Sequence, residues 1–574
     1  MKFINLIIIL IIILGTNLLS TTYYVDNTHL NSSDTNDGTD PNFPWETIGH
    51  VNDYSEDPGF NAGDQILLKR GDIWNEGIDF SNSLSYGTND DHIIIGAYGG
   101  GNRPILDGNN LQSCGVYLEK KFFEIVDLEI LNFYSEGIRI HAPQKNTGTI
   151  INNVYVHDIT TTIPANILFV FGIKIESNSC TITNSTVSNN INDGIFIDGD
   201  ACIISNNEII DNGIGGTVSD YLGDAIQYIG DNGSIYNNHI KNYITDNHLY
   251  TKNCVRFEGD VVEIYDNFCE SAGFGIGVAL ATNVKVRNNY FYNIRDDAIQ
   301  IKNGEFFNNI VYECLNGGIR CVGDNTSFEI KIFGNTIVDC KKSLTIDGGI
   351  IDFRNNLLYY YNLSNPRVLK ILSQSNISNL DFNLYYPDNV SNMFYLNGSY
   401  YSSLINWQSS GNDGNSLSSD PILSFYPAIP LFFLSEYSPA INLATDLGSA
   451  YDFDYKYWIR SSDNVWDIGA QEYIPSTFPK LRPRFNLEDY SLSQNYPNPF
   501  NPATLISFSI PNDEFVSLRI YDVLGREFAQ IINERRRAGT YQIEFNGAAL
   551  NSGVYYYTLT AGSYTETKKM MIIK

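Results

Sequence analysis

The chain has 574 residues, more than one ordinary domain holds, so two or three cores are expected. It has 39 Tyr and 32 Phe against only 18% charged residues, a balance that favours strands over helices. Of its net charge of −29, residues 475–574 contribute +2 (11 basic, 9 acidic), so the first 474 carry −31; a body this acidic has no basic footprint for phosphates, which excludes nucleic acid as a partner.

Lys2, an apolar run from Leu6 to Leu14, and small or polar residues to Thr21 predict a signal peptide over residues 1–20. The run is short for a bilayer span, and Leu18 fits poorly three residues before a cut near Ser20. Residues 21–92 are expected to form an N-terminal cap on the repetitive body. They contain a loop, Asp34, Asn36, Asp37 and Gly38, whose oxygens suit either Ca²⁺ or a plain Asx turn.

Residues 93–360 are repetitive. An Asn turn recurs at Asn153, Asn184, Asn207, Asn238, Asn267, Asn289, Asn309, Asn335 and Asn356, at spacings of 20 to 31 residues. Before each turn stands a short alternating strand, among them GIRI, GIKI, GIFI, AIQI and GIRC. A unit of three such strands cannot bury a core alone. Stacking units in parallel, about 4.8 Å apart, pairs every strand with the next. Asn tolerates left-handed backbone angles, and stacked amides can hydrogen-bond along the axis. These residues resemble the right-handed parallel β-helix of pectate lyases and related polysaccharide-active proteins. The fold class expected is all-β: a parallel β-helix of nine or more rungs, then a small antiparallel β-sandwich. All eight cysteines lie between Cys114 and Cys340. Cys180 with Cys202, and Cys314 with Cys340, are expected to stack inside on neighbouring rungs, as thiols or as disulfides.

Residues 361–474 are read as final rungs and a C-terminal cap, with Ser438 to Tyr473 closing the end and Asp452, Asp454 and Asp467 as turn residues. Residues 475–489 form a Pro- and charge-rich linker. The segments YSLSQNYPNPFNPATLISFSIP, VSLRIYDVLGRE and LNSGVYYYTLTAGSYTETKKMMIIK within 490–574 closely resemble the C-terminal sorting domain of the bacterial type IX secretion system. The resemblance implies export across the outer membrane, to the surface or beyond it.

Within each GI-type strand, alternation turns Ile138 and Ile140 inward and Arg139 outward. The outward column reads Arg139, Lys174, Phe196, Gln227, Arg256, Gly277, Gln300, Arg320, Thr345. Four of these nine are basic, in an acidic body. Long loops after the first, third and fourth Asn turns would wall this face. In the lyases resembled, the substrate groove lies on the strand that follows the longest loop, which is this one. Lyase chemistry needs a base beside cations that hold a uronate carboxylate. Lys302, Arg320, Asp297 and Arg256 are the candidates for it. Arg139, Lys174, Gln227, Gln300 and Phe196 are the candidates for holding the sugar chain, and Asp224 and Glu258 for Ca²⁺. IRDDAIQIKNG (Ile294 to Gly304) also resembles the paired-Asp motif of polygalacturonase-type glycosidases, but the NTD, GHG and RIK triplets of that family are absent. The sequence therefore reads as a secreted or surface-attached, monomeric polysaccharide-active protein, a lyase or hydrolase on an acidic glycan. The alternative is a non-catalytic glycan-binding or adhesive surface protein. Its expected partners are an anionic polysaccharide and the type IX machinery.

Overall fold

The computed structural model describes residues 20–573 apart from 161–169, 214–222, 242–252, 279–281, 323–327, 362–366, 373–375, 389, 427–430, 461–464, 474–489 and, in the tail, 493–494, 496–499, 501, 511–513, 524, 537–538, 549 and 563. The expected signal peptide, the linker and the long wall loops lie outside the described residues. By contact the chain divides into residues 1–234 and 235–574.

In residues 1–234 the strands recur in a cycle of three, and each pairs in parallel with its counterpart one turn later. One sheet runs Thr22–Val25, Gln65–Lys69, Ile93–Tyr98, Phe123–Val126, Ile150–Asn152, Thr181–Thr183, Ile203–Ser205. A second runs Ile78–Phe80, Cys114–Leu118, Glu136–Asn146, Phe171–Asn178, Ile195–Asp198, Ile226–Ile229. A third joins Ile73–Trp74 through Glu129–Leu131 to Glu208–Ile210. This is a coil of parallel rungs. Its inward residues, such as Ile138, Ile140, Ile173 and Ile175, are wholly buried. Parallel strands need crossovers, and here two short turns and a loop per rung supply them.

The N-terminal end is closed by the helix Ile48–Glu56, capped by Thr47, whose side chain accepts from His50 N. Asp34 holds that cap. Its carboxylate accepts from Glu46 N, Thr47 N and the Thr47 hydroxyl at 2.7–3.0 Å, and Asp37 closes an Asx turn on Thr39. The loop weighed for Ca²⁺ is thus occupied with its own backbone.

Residues 235–574 continue the same three-strand cycle. The sheet that matters here runs Asn253–Phe257, Phe274–Val278, Asp297–Ile301, Gly317–Cys321, Lys342–Ile346, Arg367–Ile371, Phe394–Leu396. An amide ladder runs beside it. The side chain of each of Asn238, Asn267, Asn289, Asn309, Asn335 and Asn356 donates to the next at 2.9–3.2 Å, as far as Asn383. Asn383 donates to Asp413. The left-handed backbone expected of these residues belongs instead to the residue before each: Asn237, Asp266, Asn288, Asn308, Gly334, Asn355 and Phe382. Only Asn153 and Asn184, earlier in the chain, take the left-handed angle themselves. The turn therefore divides its work: one residue bends the chain, and the next is free to stack.

The far end is closed by the hairpin Phe394–Leu396/Ser399–Tyr401 and the helix Leu404–Gln408, whose buried Trp407 stacks on Phe394 at 5.1 Å. Ser438 to Tyr473 is not that cap. It lies along the flank: Asn288 Nδ2 donates to Asp454 O, Gly469 N to Asn355 O and Ala470 N to Thr336 Oγ1. Asp454 and Asp467 accept backbone N–H groups there, as turn residues do. The tail forms two antiparallel sheets, of three and four strands, around Phe508, Ile520, Leu518 and Leu559. None of the eight cysteines is in a disulfide, and all but Cys114 are buried.

Candidate functional site

The outward column exists in both parts of the chain, with different chemistry in each. In residues 1–234, Arg139, Lys174, Phe196 and Gln227 occupy one register position on successive strands. Arg139 and Lys174 both pair with Glu176 at 3.1 Å, and His141 Nδ1 lies 2.8 Å from the same carboxylate. Burial works to raise the Glu176 pKa, but the His141 hydrogen bond and the Lys174 and Arg139 charges outweigh it and leave it lowered. The cations also sit over rings, Arg139 over Tyr117 and Lys174 over Phe171 and Phe196, at 5.4–5.8 Å. Charge on this face is largely neutralised locally. Asp224 is buried, and its backbone N–H donates to the Asp193 carboxylate at 2.6 Å.

In residues 235–574 the column begins with Arg256, which pairs with Glu258 at 2.9 Å. Gln300, Arg320, Thr345 and Lys370 then follow in register. A second column, at the strand starts, reads Asp297, Gly317, Lys342, Arg367. Between the two lies a cleft of about 120 Å³ lined by Asp297, Asn316, Arg320, Lys342, Thr345, Asp347, Arg367 and Lys370. Four cations thus meet two carboxylates, a positive site on an acidic body.

Asp297 stands at the floor, 3% exposed. Gly317, one rung on, makes room for it: a Cβ there would fall 2.2 Å from Asp297 Oδ1. Asn316 reaches the same oxygen at 3.4 Å and Asp296 at 2.6 Å. Oδ2 has no hydrogen-bond donor among the described residues, and the Arg320 guanidinium is 4.0 Å away. Burial, with the neighbouring Asp296 charge, pushes the Asp297 pKa up to about 6 against the pull of Arg320 and Lys342. On the other side, Asp347 takes Arg320 at 2.9 Å and Lys370 at 3.6 Å. Lys342 Nζ donates to Asn316 Oδ1 at 2.8 Å.

Of the residues singled out from sequence, Asp297 and Arg320 meet in this cleft. Arg256 stands two strands earlier on its own partner, and Lys302, just beyond the strand Asp297–Ile301, does not line the cleft. Lys342, Arg367, Lys370 and Asn316 were missed. Lys370 simply continues the Arg320–Thr345 column by one rung. Among the described residues, no three His, Cys, Asp or Glu side chains gather as a metal site.

Residues 171–358 match the family described as right handed beta helix region, and residues 494–574 match the secretion system C-terminal sorting domain. The chain is 30% identical over 142 residues to a lacto-N-biosidase of Bifidobacterium longum subsp. longum, a match spanning 24% of this chain and 8% of that relative. Similar solved structures include an alginate lyase from Paenibacillus sp. (15% identity, 55% of this chain and 96% of the other, TM-score 0.33). A pectate lyase (16%, 79% and 96%, TM-score 0.36) and a mannuronic acid specific family 6 lyase from human gut microbiota (10%, 68% and 94%, TM-score 0.42) are others. No helix among the described residues is long and apolar enough to cross a membrane. With parallel rungs in both parts of the body and a sorting sequence at its end, the chain is a right-handed parallel β-helix protein exported by type IX secretion to the cell surface or the surroundings.

Proposed function

We propose that this protein acts on an acidic polysaccharide, as a lyase or hydrolase, in the cleft around Asp297. The observation that carries this is the cleft itself: Arg320, Lys342, Arg367 and Lys370 around a buried carboxyl, in a body whose charge is otherwise strongly negative. Such a site attracts anionic sugar units and holds a group able to exchange a proton near neutrality. The name of the relative, a lacto-N-biosidase, is in keeping with a glycan ligand. Arg139, Lys174, Phe196, Gln227 and Gln300 are proposed to hold the chain of sugars. In the first four, neutralised cations beside rings suit binding without chemistry, which favours a purely glycan-binding role as the second reading. Asp224 and Glu258 remain proposed as Ca²⁺ contacts, each within its own part of the chain.

The full chain would be run through gels containing pectate, alginate, chondroitin sulfate or neutral glucan, with and without Ca²⁺, and each polymer assayed for new ends. The expected result is retardation and cleavage confined to acidic polymers. Retardation without cleavage would leave the binding reading. Indifference to every acidic polymer would overturn both.

A further inference from the structure

Elimination and hydrolysis make different demands on a cleft. Elimination must remove a carbon-bound proton beside a uronate carboxyl, and so needs a strong, free base. Hydrolysis needs one carboxyl that holds a proton and a second carboxylate opposite it. Among the described residues, no His, Tyr or Cys lines this cleft. Lys342 donates to Asn316, and Lys370 and Arg320 pair with Asp347, while Arg367 Nε has no hydrogen-bond partner among the described residues. What the cleft does hold is two carboxyls on one guanidinium. Asp297 Oδ2 is 4.0 Å from one terminal nitrogen of Arg320, and Asp347 Oδ2 is 2.9 Å from the other. Their surroundings differ, Asp297 being buried and without a donor on Oδ2, Asp347 being paired twice.

Resting on the acidic-glycan reading above, we infer that the cleft cleaves its polymer by hydrolysis, with Asp297 as general acid and Asp347 as general base. Asp297 gives its proton to the glycosidic oxygen as the bond from that oxygen to C1 breaks. The leaving sugar departs as an alcohol. Asp347 takes a proton from water while the water oxygen bonds to C1. Asp297 ends ionised and Asp347 protonated, and solvent returns both to their starting states. The raised Asp297 pKa, from burial, keeps its proton available near neutral pH. Lys342 and Arg367 are left to hold the acid group of the sugar.

The test uses the full chain on whichever acidic polymer it cuts. Reducing ends should appear without the ultraviolet absorbance of a new carbon–carbon double bond. Asp297→Asn and Asp347→Asn should each lower kcat by about 10²- to 10⁴-fold with KM nearly unchanged, whereas Lys342→Ala should mainly raise KM. Added azide should restore turnover to Asp347→Ala, giving a glycosyl azide, which a merely structural role would not allow. Because Asp297→Asn keeps the shape of the side chain, circular dichroism should be unchanged. Unsaturated products would overturn the proposal while leaving the glycan reading intact, as would wild-type kcat in both Asn variants. Failure to bind or cut any acidic polymer would instead remove the reading beneath it.

Discussion

The missing side chain of Gly317 is filled by Asp297: a Cβ on the glycine would lie 2.2 Å from the carboxylate oxygen of the residue one rung below. Gly317→Ala should therefore push the Asp297 carboxyl out of its seat. Activity should fall at least about tenfold, and stability by about 1–3 kcal/mol, the usual range for an overpacked site. In an Asp297→Ala background the same change should cost less. Urea unfolding of the four proteins of that cycle measures the coupling.

Asp297 also sets a pH dependence. Its folded pKa, raised from 3.8 to about 6, means the folded chain binds this proton more tightly than the unfolded chain does. Stability from this group is complete below about pH 4 and is lost as pH rises through about 6. Asp297→Asn should remove that loss, gaining up to about 3 kcal/mol above pH 7 and little at pH 4. Melting temperatures across that range check it. A variant more stable yet inactive at neutral pH is the expected mark of a strained functional carboxyl.

The amide ladder gives a contrast between two asparagines. Asn309→Ala removes donors and acceptors to Asn289, Asn335 and the Val286 carbonyl, all buried. It should cost about 2–4 kcal/mol, since buried groups are left unpaired. Asn184 stands outside the ladder on an exposed bond to Asn152 and has a left-handed backbone. Asn184→Gly should change stability by about 0.5 kcal/mol or less. Thermal unfolding of both variants distinguishes them.

Among the cations, Arg320→Ala should weaken binding of an acidic polymer more than Lys302→Ala, because Arg320 bridges Asp297 and Asp347 while Lys302 lies off the cleft. Lys370→Ala should fall between them. Gel retardation at rising salt reads the order, with the differences shrinking as salt screens the site.

The rungs were legible because the strand and the Asn turn each leave a period in the sequence, and alternation then says which side chains face out. That was enough to place Arg320 and Asp297 on one face. It was not enough to see that they meet, nor to find Lys342 and Arg367, because neighbours in the cleft are 20 to 25 residues apart and depend on register. Where loops of unequal length intervene, register cannot be counted from one strand to the next. Lys370 was lost for a simpler reason: the Asn turns counted in the sequence stop at Asn356, although Asn383, 27 residues on, takes the next place in the ladder. Asp193 and Asp224 share the turn position of Asp297, but there the Asp193 carboxylate accepts the backbone N–H of Asp224. Which of several like residues is chemically loaded depends on what the next rung leaves empty.

The ladder from Asn238 to Asn383 has a direction. Every amide in it donates the same way, so small dipoles add along the axis as they do in an α-helix, with the N–H end toward the C-terminal side. Asp413 receives the final N–H, a carboxyl placed where an α-helix would seat an anion at its N-terminus. Such a stack can lengthen by any number of rungs, but it cannot stop on an apolar plug. Each stop requires an acceptor, and a chain cut short of Asp413 would end in a polar bond with nothing to close it.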